Sequence, residues 1–297
     1  MAVTLAMIKE LRELTGAGVL AAKKALEAAD GDFDLAVKQL REKGLAKASK
    51  RADREIKEGR IESRSSDYQS GLLFEVNCET DFVARNDNFV AMATQVADHL
   101  FALSQEDQSL DDLLDLPFYQ DDSITPRAKL ENLVSSTGEN MGFRRYVRYD
   151  LDNRNGVVEM YPHPGNRVAV LIELDADSAS VAKSDEFVAL AHDLALHIAA
   201  MAPMVVERND LSAALLDSEK EIYRTQALAE GKPEHIVERI IEGRLKKFYE
   251  ASVLLEQGFV KDDEIIIGDL LKNKSQELGE TVVVRRFVRY ELGEDLT

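Results

Sequence analysis

Glu79-Thr80-Asp81-Phe82 sets two carboxylates at i and i+2 beside a large aromatic ring, and paired acids are the usual equipment of general acid–base chemistry. An i, i+2 pair at a strand end makes no pocket by itself, however. His192 and His197 are five apart, which spreads them around a helix, whereas zinc-binding pairs favour i and i+4 and no HExxH occurs. Gly16-Ala17-Gly18 is too short for a dinucleotide fingerprint and follows no strand, and GxxxxGK[ST] is missing, so no phosphate cradle is expected. No GxSxG occurs. Cys78 is alone, which rules out an intrachain disulfide or a multi-cysteine metal site, and a small buried strand residue accounts for it. These residues predict neither enzyme activity nor a cofactor nor a metal.

The acid–aromatic pair is instead informative because the chain carries a second, degraded copy of its surroundings. Residues 71–91, GLLFEVNCETDFVARNDNFVA, return at 169–189 as AVLIELDADSASVAKSDEFVA, with Val83-Ala84 opposite Val181-Ala182 and Glu75 opposite Glu173. What both copies share is explained by folding. Asp81 and Phe82 stand opposite Ala179 and Ser180 and need another reason. Were Phe82 a core residue common to both copies, Ser180 would leave a hole worth ~3 kcal/mol or more in the second, so a protruding ring is expected. A protruding Phe is a wedge for a partner.

The elements that must position this pair are legible in outline. Residues 60–65 and 71–77 flank the polar turn Asp67-Tyr68-Gln69-Ser70 as a hairpin, and Asp87-Asn88 opens a helix with Phe89, Met92, Ala93, Val96 and Leu100 on one side. Arg144-Arg145-Tyr146-Val147-Arg148-Tyr149 returns as Arg285-Arg286-Phe287-Val288-Arg289-Tyr290, and both read as strands. Val83 and Val181 are 98 positions apart but Arg144 and Arg285 are 141 apart, so about 43 residues have been added inside the second copy. Residues 210–250 fit that addition: Leu211, Leu215, Ile222 and Leu228, then Ile236, Ile240, Leu245 and Phe248, repeat at helical spacing either side of Gly231-Lys232-Pro233. They predict a projecting helical hairpin, serving either as a contact arm or as scaffolding or self-association. Residues 104–122, with seven acidic side chains and no basic one, read as a solvated excursion.

The first 44 residues predict three short helices: one with Ile8, Leu11 and Leu14 on a face, one over Val19–Ala29, and one capped by Asp32 and stopped by Gly44. After them come Lys47, Lys50, Arg51, Arg54, Lys57, Arg60 and Arg64, read either as a tether or exposed helix or as a basic contact surface. At 297 residues, 45% hydrophobic and 31% charged, the chain has the make-up of a globular protein with two or three cores. A net charge of −18 repels polyanions, so nucleic acid and anionic membranes are not expected as main partners. No apolar run approaches the ~18 residues of a membrane span and no leader pattern opens the chain, so a cytoplasmic location is expected.

Several segments together resemble the elongation factor Ts family, the nucleotide-exchange factors of the GTPase elongation factor Tu. They are Ile8-Lys9-Glu10-Leu11-Arg12 with Thr15-Gly16-Ala17-Gly18 and Lys23-Lys24-Ala25-Leu26; Asn77 with Glu79-Thr80-Asp81-Phe82-Val83-Ala84; Gly138-Glu139-Asn140; and Glu242-Gly243-Arg244-Leu245-Lys246-Lys247-Phe248. The resemblance implies an α+β protein divided into a ubiquitin-associated-like three-helix domain with linker over 1–55, an antiparallel-sheet/helix subdomain over 56–152, and a related subdomain over 153–297 carrying a helical hairpin at about 210–250. It also implies a non-catalytic factor without cofactor that binds elongation factor Tu and does not itself bind nucleotide. By motif position, Arg12, Val19, Leu20 and Lys23 would meet the partner's nucleotide domain. Asp81 and Phe82, between Thr80 and Val83, would intrude beside its nucleotide and magnesium. Thr137-Gly138, His163 and Val260-Lys261 would be auxiliary contacts. Two positions depart from the family's pattern: Val19-Leu20 replace its usual two Met, and Lys261 stands at a commonly apolar position. For His163, a plain turn residue is an equal reading.

Two other functions compete. An adaptor with a ubiquitin-associated-type module would bind helical or ubiquitin-like partners without touching nucleotide turnover. A ribosome-associated RNA binder would use the basic linker with Arg144, Arg145, Arg148, Arg285, Arg286 and Arg289, although Glu and Asp beside these arginines favour structural ion pairing.

Overall fold

In the computed structural model, residues 3–15, 17–49 and 54–296 are described; Gly16, Lys50 and Arg51 lie outside them, as do the side chains of Leu14 and Lys47. The chain opens with α1 (Leu5–Thr15), α2 (Val19–Ala28) and α3 (Phe33–Ser49). Ile8, Leu11, Ala22, Ala25, Leu26 and Ala36 bury together as one small core. Asp32 caps α3 through Leu35 N–H, as its type predicts. Gly44 does not stop the helix, which runs on to Ser49. A glycine inside a helix costs only about 1 kcal/mol, and the Ala- and Lys-rich sequence after it favours continuing. α3 therefore takes in Lys47 and leaves the rest of the basic linker beyond its end.

Two three-stranded antiparallel sheets follow. In the first, β1 (Glu58–Ser66) and β2 (Ser70–Cys78) form the expected hairpin, with Asp67 and Tyr68 at positive φ in its turn. The chain continues through α4 (Asp81–Ala84), α5 (Asp87–Leu103), α6 (Leu110–Leu114) and α7 (Pro126–Thr137) to β3 (Met141–Asp150), which pairs with β2. The second sheet takes β4 (Gly156–Pro162), β5 (Val168–Ala176) and the far-off β8 (Val282–Glu291), with α8 (Ala179–Ala182) and α9 (Asp185–Met201) leaving β5 as α4 and α5 leave β2. Each sheet covers a helix with its inner face: Phe74 and Val76 meet Phe89, Met92 and Val96, and Val170 and Ile172 meet Phe187, Leu194 and Ile198. Register breaks fall at Glu75/Val76 and at Glu173/Leu174, the same place in both copies.

The acidic stretch 104–122 is not wholly solvated. Leu113, Leu114 and Phe118 are buried in the first core, and His99 Nε2 lies 2.9 Å from the Leu113 carbonyl. Glu106 turns inward to accept from Asp150 N–H and pair with Arg286, while the other acids point outward from a segment whose apolar residues are buried, a pattern that a charge count hides.

The outer faces of the two sheets pack on each other through Ile61, Leu73, Tyr149, Val158, Leu171 and Tyr290. At Gly71 a Cβ would come within 2.6 Å of a Leu171 methyl and 2.9 Å of a Val158 methyl, so that a side chain here would push these buried residues aside.

The added segment contains α10 (Ala213–Ala229) and α11 (Glu234–Ser252), turning at Gly231, and then β6 (Gly258–Phe259), β7 (Asp262–Ile266) and α12 (Ile267–Leu278) before β8 (Val282–Glu291). Its base is closed by a parallel bridge between Val205 and Val253. The helices meet through Ala227, Val237 and Ile241, with Tyr223 beside them. Ile222 and Leu228, taken from spacing as inner positions, are instead exposed, because the small Ala227 is the side chain that lets the helices approach. The α+β class holds, and among the described residues no helix is long and apolar enough to cross a membrane.

Candidate functional site

β2 ends at Cys78, whose thiol is buried, pushed up to about 12 by that burial, and donates to the Thr80 carbonyl. Such a thiol is no nucleophile. Thr80 then caps α4, its Oγ1 accepting from Val83 N–H at 3.3 Å. A four-residue helix cannot hold itself, and the turn is clamped from outside. α7 ends on Gly138 in the left-handed conformation, φ 79°, which delivers Glu139 to the turn. Thr80 N–H donates to one carboxylate oxygen of Glu139 at 3.1 Å and Thr80 Oγ1 donates to the other at 2.8 Å. In the opposite direction Glu79 accepts from Asn140 N–H at 2.6 Å and pairs with Arg54 at 3.2 Å. Asp81 pairs with Arg85 at 3.3 Å. Each acid of the motif is thus engaged by its own partner, Glu79 by Asn140 and Arg54 and Asp81 by Arg85, rather than by the other.

Phe82, on this clamped turn, is 84% exposed. It packs into nothing of its own unit, whereas its neighbours Val83 and Ala84 belong to the first core.

The second copy repeats the clamp and omits the ring. Ser178 caps α8, its N–H and Oγ donate to the carboxylate of Glu280 at 2.9 and 2.6 Å, and Asp177 accepts from Thr281 N–H at 2.8 Å. Gly279, φ 70°, ends α12 as Gly138 ends α7. Ser180, in the place of Phe82, is exposed. Glu139 and Glu280 were not singled out from the sequence as site residues, although Gly138-Glu139 and Gly279-Glu280 repeat at the spacing of the closing strands and could have been found that way.

The structure joins Thr80, Asp81, Phe82 and Val83 to Thr137 and Gly138 in one rim, because Glu139 ties the two segments together. Of the N-terminal helices, α3 lies against α7, the helix that ends at this rim. Arg12, Val19, Leu20 and Lys23 are exposed on α1 and α2, with Val19 and Leu20 forming an uncovered apolar pair.

His163, Val260 and Lys261 form a separate group around α9. Exposed His163, in the turn after β4, lies 3.2 Å from Tyr161 Oη through Nδ1, and the Tyr161 ring meets His192, whose Nδ1 is 2.8 Å from Glu159. Lys261 pairs with Asp193 at 2.5 Å, and Val260 N–H donates to His197 Nδ1 at 3.1 Å. The other nitrogen of His197 faces the Gln257 carbonyl oxygen at 2.9 Å, so this buried ring bridges α9 to the segment carrying Val260.

The arginine-rich strands are committed to the interior. Fully buried Glu75 takes Arg144 at 3.0 Å and Arg145 at 2.7 Å, and fully buried Glu173 takes Arg154 and Arg286 at 2.8 and 2.6 Å.

The sequence pattern of the family described as Elongation factor TS matches residues 79–294. Among curated proteins, an elongation factor Ts of Trichlorobacter lovleyi is 43% identical over 297 residues, covering 100% of this chain and 94% of the relative. One of Clostridium novyi is 42% identical, covering 99% and 94%, and one of Aquifex aeolicus is 42% identical, covering 99% of each. Matches of this length and identity, spanning the clamped turn and both sheets, mean that the chain belongs to the elongation factor Ts family.

Proposed function

We propose that the protein is the guanine nucleotide exchange factor of elongation factor Tu, acting in the cytoplasm during translation elongation without cofactor or bond chemistry of its own. In this reading its working parts are the helical module over 1–55, the subdomain over 56–152, and the subdomain over 153–297 with its hairpin. The observation that carries it is Phe82, an exposed ring on a clamped turn whose internal copy, held by the corresponding pair of hydrogen bonds, lacks the ring.

A GTPase holds GDP largely through phosphate-loop amides and Mg²⁺. A partner that binds the nucleotide-free form better must, by linkage, weaken nucleotide affinity by the same factor. Phe82 enters beside the magnesium and phosphate site with Asp81, and burying its ring supplies ~2–3 kcal/mol, roughly 30-fold to 150-fold in that coupling. Arg12, Val19, Leu20 and Lys23 grip the nucleotide domain. Thr137 and Gly138 border the wedge, and His163, Val260 and Lys261 make a second footing around α9. Family membership supports the partner, and engagement of the strand arginines by Glu75 and Glu173 argues against the RNA-binding alternative. Release of a fluorescent GDP from elongation factor Tu, with and without the protein, is the deciding measurement. An unchanged release rate rejects exchange activity and leaves the adaptor.

A further inference from the structure

On the reading of Phe82 given above, we infer that Glu139 is a positioning residue for nucleotide exchange: its carboxylate fixes the Thr80 turn so that the Phe82 ring is presented in one orientation before the partner arrives. The ring gains nothing from its own unit, being 84% exposed, so packing does not aim it. Its backbone belongs to a single helical turn whose capping residue, Thr80, is bound through both of its donors by one side chain reaching across from the end of α7. Loosening that turn lets the ring sample orientations that miss the partner, and each must be frozen out on binding.

The molecule contains the control for this role. Glu280 makes the same two hydrogen bonds to Ser178, is half-buried like Glu139, and presents only Ser180. A merely structural clamp would matter equally in both places. A positioning clamp matters for exchange only in the first.

The experiment compares Glu139→Ala and Glu280→Ala in the full chain by stopped-flow release of fluorescent GDP from elongation factor Tu and by thermal unfolding. Both substitutions are expected to lower the unfolding midpoint to a similar extent. Glu139→Ala is expected to slow stimulated release about fivefold, the order of one ordinary hydrogen bond, and Glu280→Ala to leave it unchanged. Glu139→Gln, which keeps one acceptor for Thr80, is expected to lie between wild type and Glu139→Ala, and it carries the comparison should the alanine variant fold poorly. In a Phe82→Ala background Glu139→Ala should add no further loss. Equal effects of Glu139→Ala and Glu280→Ala on release, or a Glu139→Ala loss that persists undiminished without the ring, overturn the positioning role. Phe82→Ala measured alone reports on the wedge separately: if it leaves release unaltered, the reading of Phe82 itself is wrong, whatever the Glu139 variants do.

Discussion

The Arg145 guanidinium lies 3.8 Å over the ring of Tyr290, in the opposite unit, while its Nε donates to Glu75 in its own. The arrangement is mirrored: Arg286 lies 4.0 Å over Tyr149 while its Nε donates to Glu173. Each arginine neutralises a buried carboxylate on one side and stacks on an aromatic ring on the other, so the two sheets meet through an exchanged pair of contacts, as in an isologous dimer.

Tyr290→Leu removes one stack and leaves apolar volume in its place. A loss of about 1–2 kcal/mol is expected by denaturant titration, and Tyr149→Leu should cost about the same. A strongly unequal pair of values would contradict the mirrored arrangement.

Burial pushes the Glu75 carboxyl upward, but the Gly293 amide, Asn77, Arg145 and Arg144 outweigh it and hold the carboxyl below its ordinary 4.5. A carboxylate depressed by folding adds stability that is fully present above the unfolded value and lost as pH falls through the folded one. Glu75→Gln should therefore be about 3 kcal/mol less stable than wild type at pH ~7. The gap should narrow as pH drops below ~4.5, which urea titrations across that range will show.

For the wedge, Phe82→Ala should slow GDP release from elongation factor Tu at least about tenfold with the thermal midpoint nearly unmoved, because the ring is exposed. The reciprocal change, Ser180→Phe, places an equally exposed ring on the second copy's clamped turn. It should not restore release to Phe82→Ala, since the sheets present the two turns to different surroundings.

His197 is held below its ordinary 6.5, burial being the main cause and the Gln257 contact a partial counterweight. The folded protein therefore takes up this proton less readily than the unfolded chain does, so the stabilisation is present above pH 6.5 and wanes as pH falls beneath it. In a ring-proton NMR titration the His197 midpoint should fall below 6.5, with its ring remaining neutral where an ordinary histidine is half protonated.

Repetition made much of this legible from sequence. The copies at 71–91 and 169–189 and the paired closing strands placed both sheets, and the contrast of Phe82 with Ser180 singled out the exposed ring before its environment was known. Local rules failed where tertiary context outweighed them. Gly44 looked like a stop because glycine ends many helices, yet nothing at that position demands a left-handed residue. The acids of 104–122 masked Leu113 and Phe118, whose burial depends on a core built by distant strands. The Glu139 clamp is legible only through repetition: its hydrogen bonds span 59 positions and follow no local period, so that the return of Gly138-Glu139 as Gly279-Glu280 is the one sign of it in the sequence.

The legs of the helical hairpin leave the body side by side, Val205 bridging Val253. A segment whose ends are already joined imposes almost no closure entropy on whatever it grows from. Whole turns can accordingly be spliced in or trimmed out in register, changing how far the arm reaches into solvent while both sheets stay as they are.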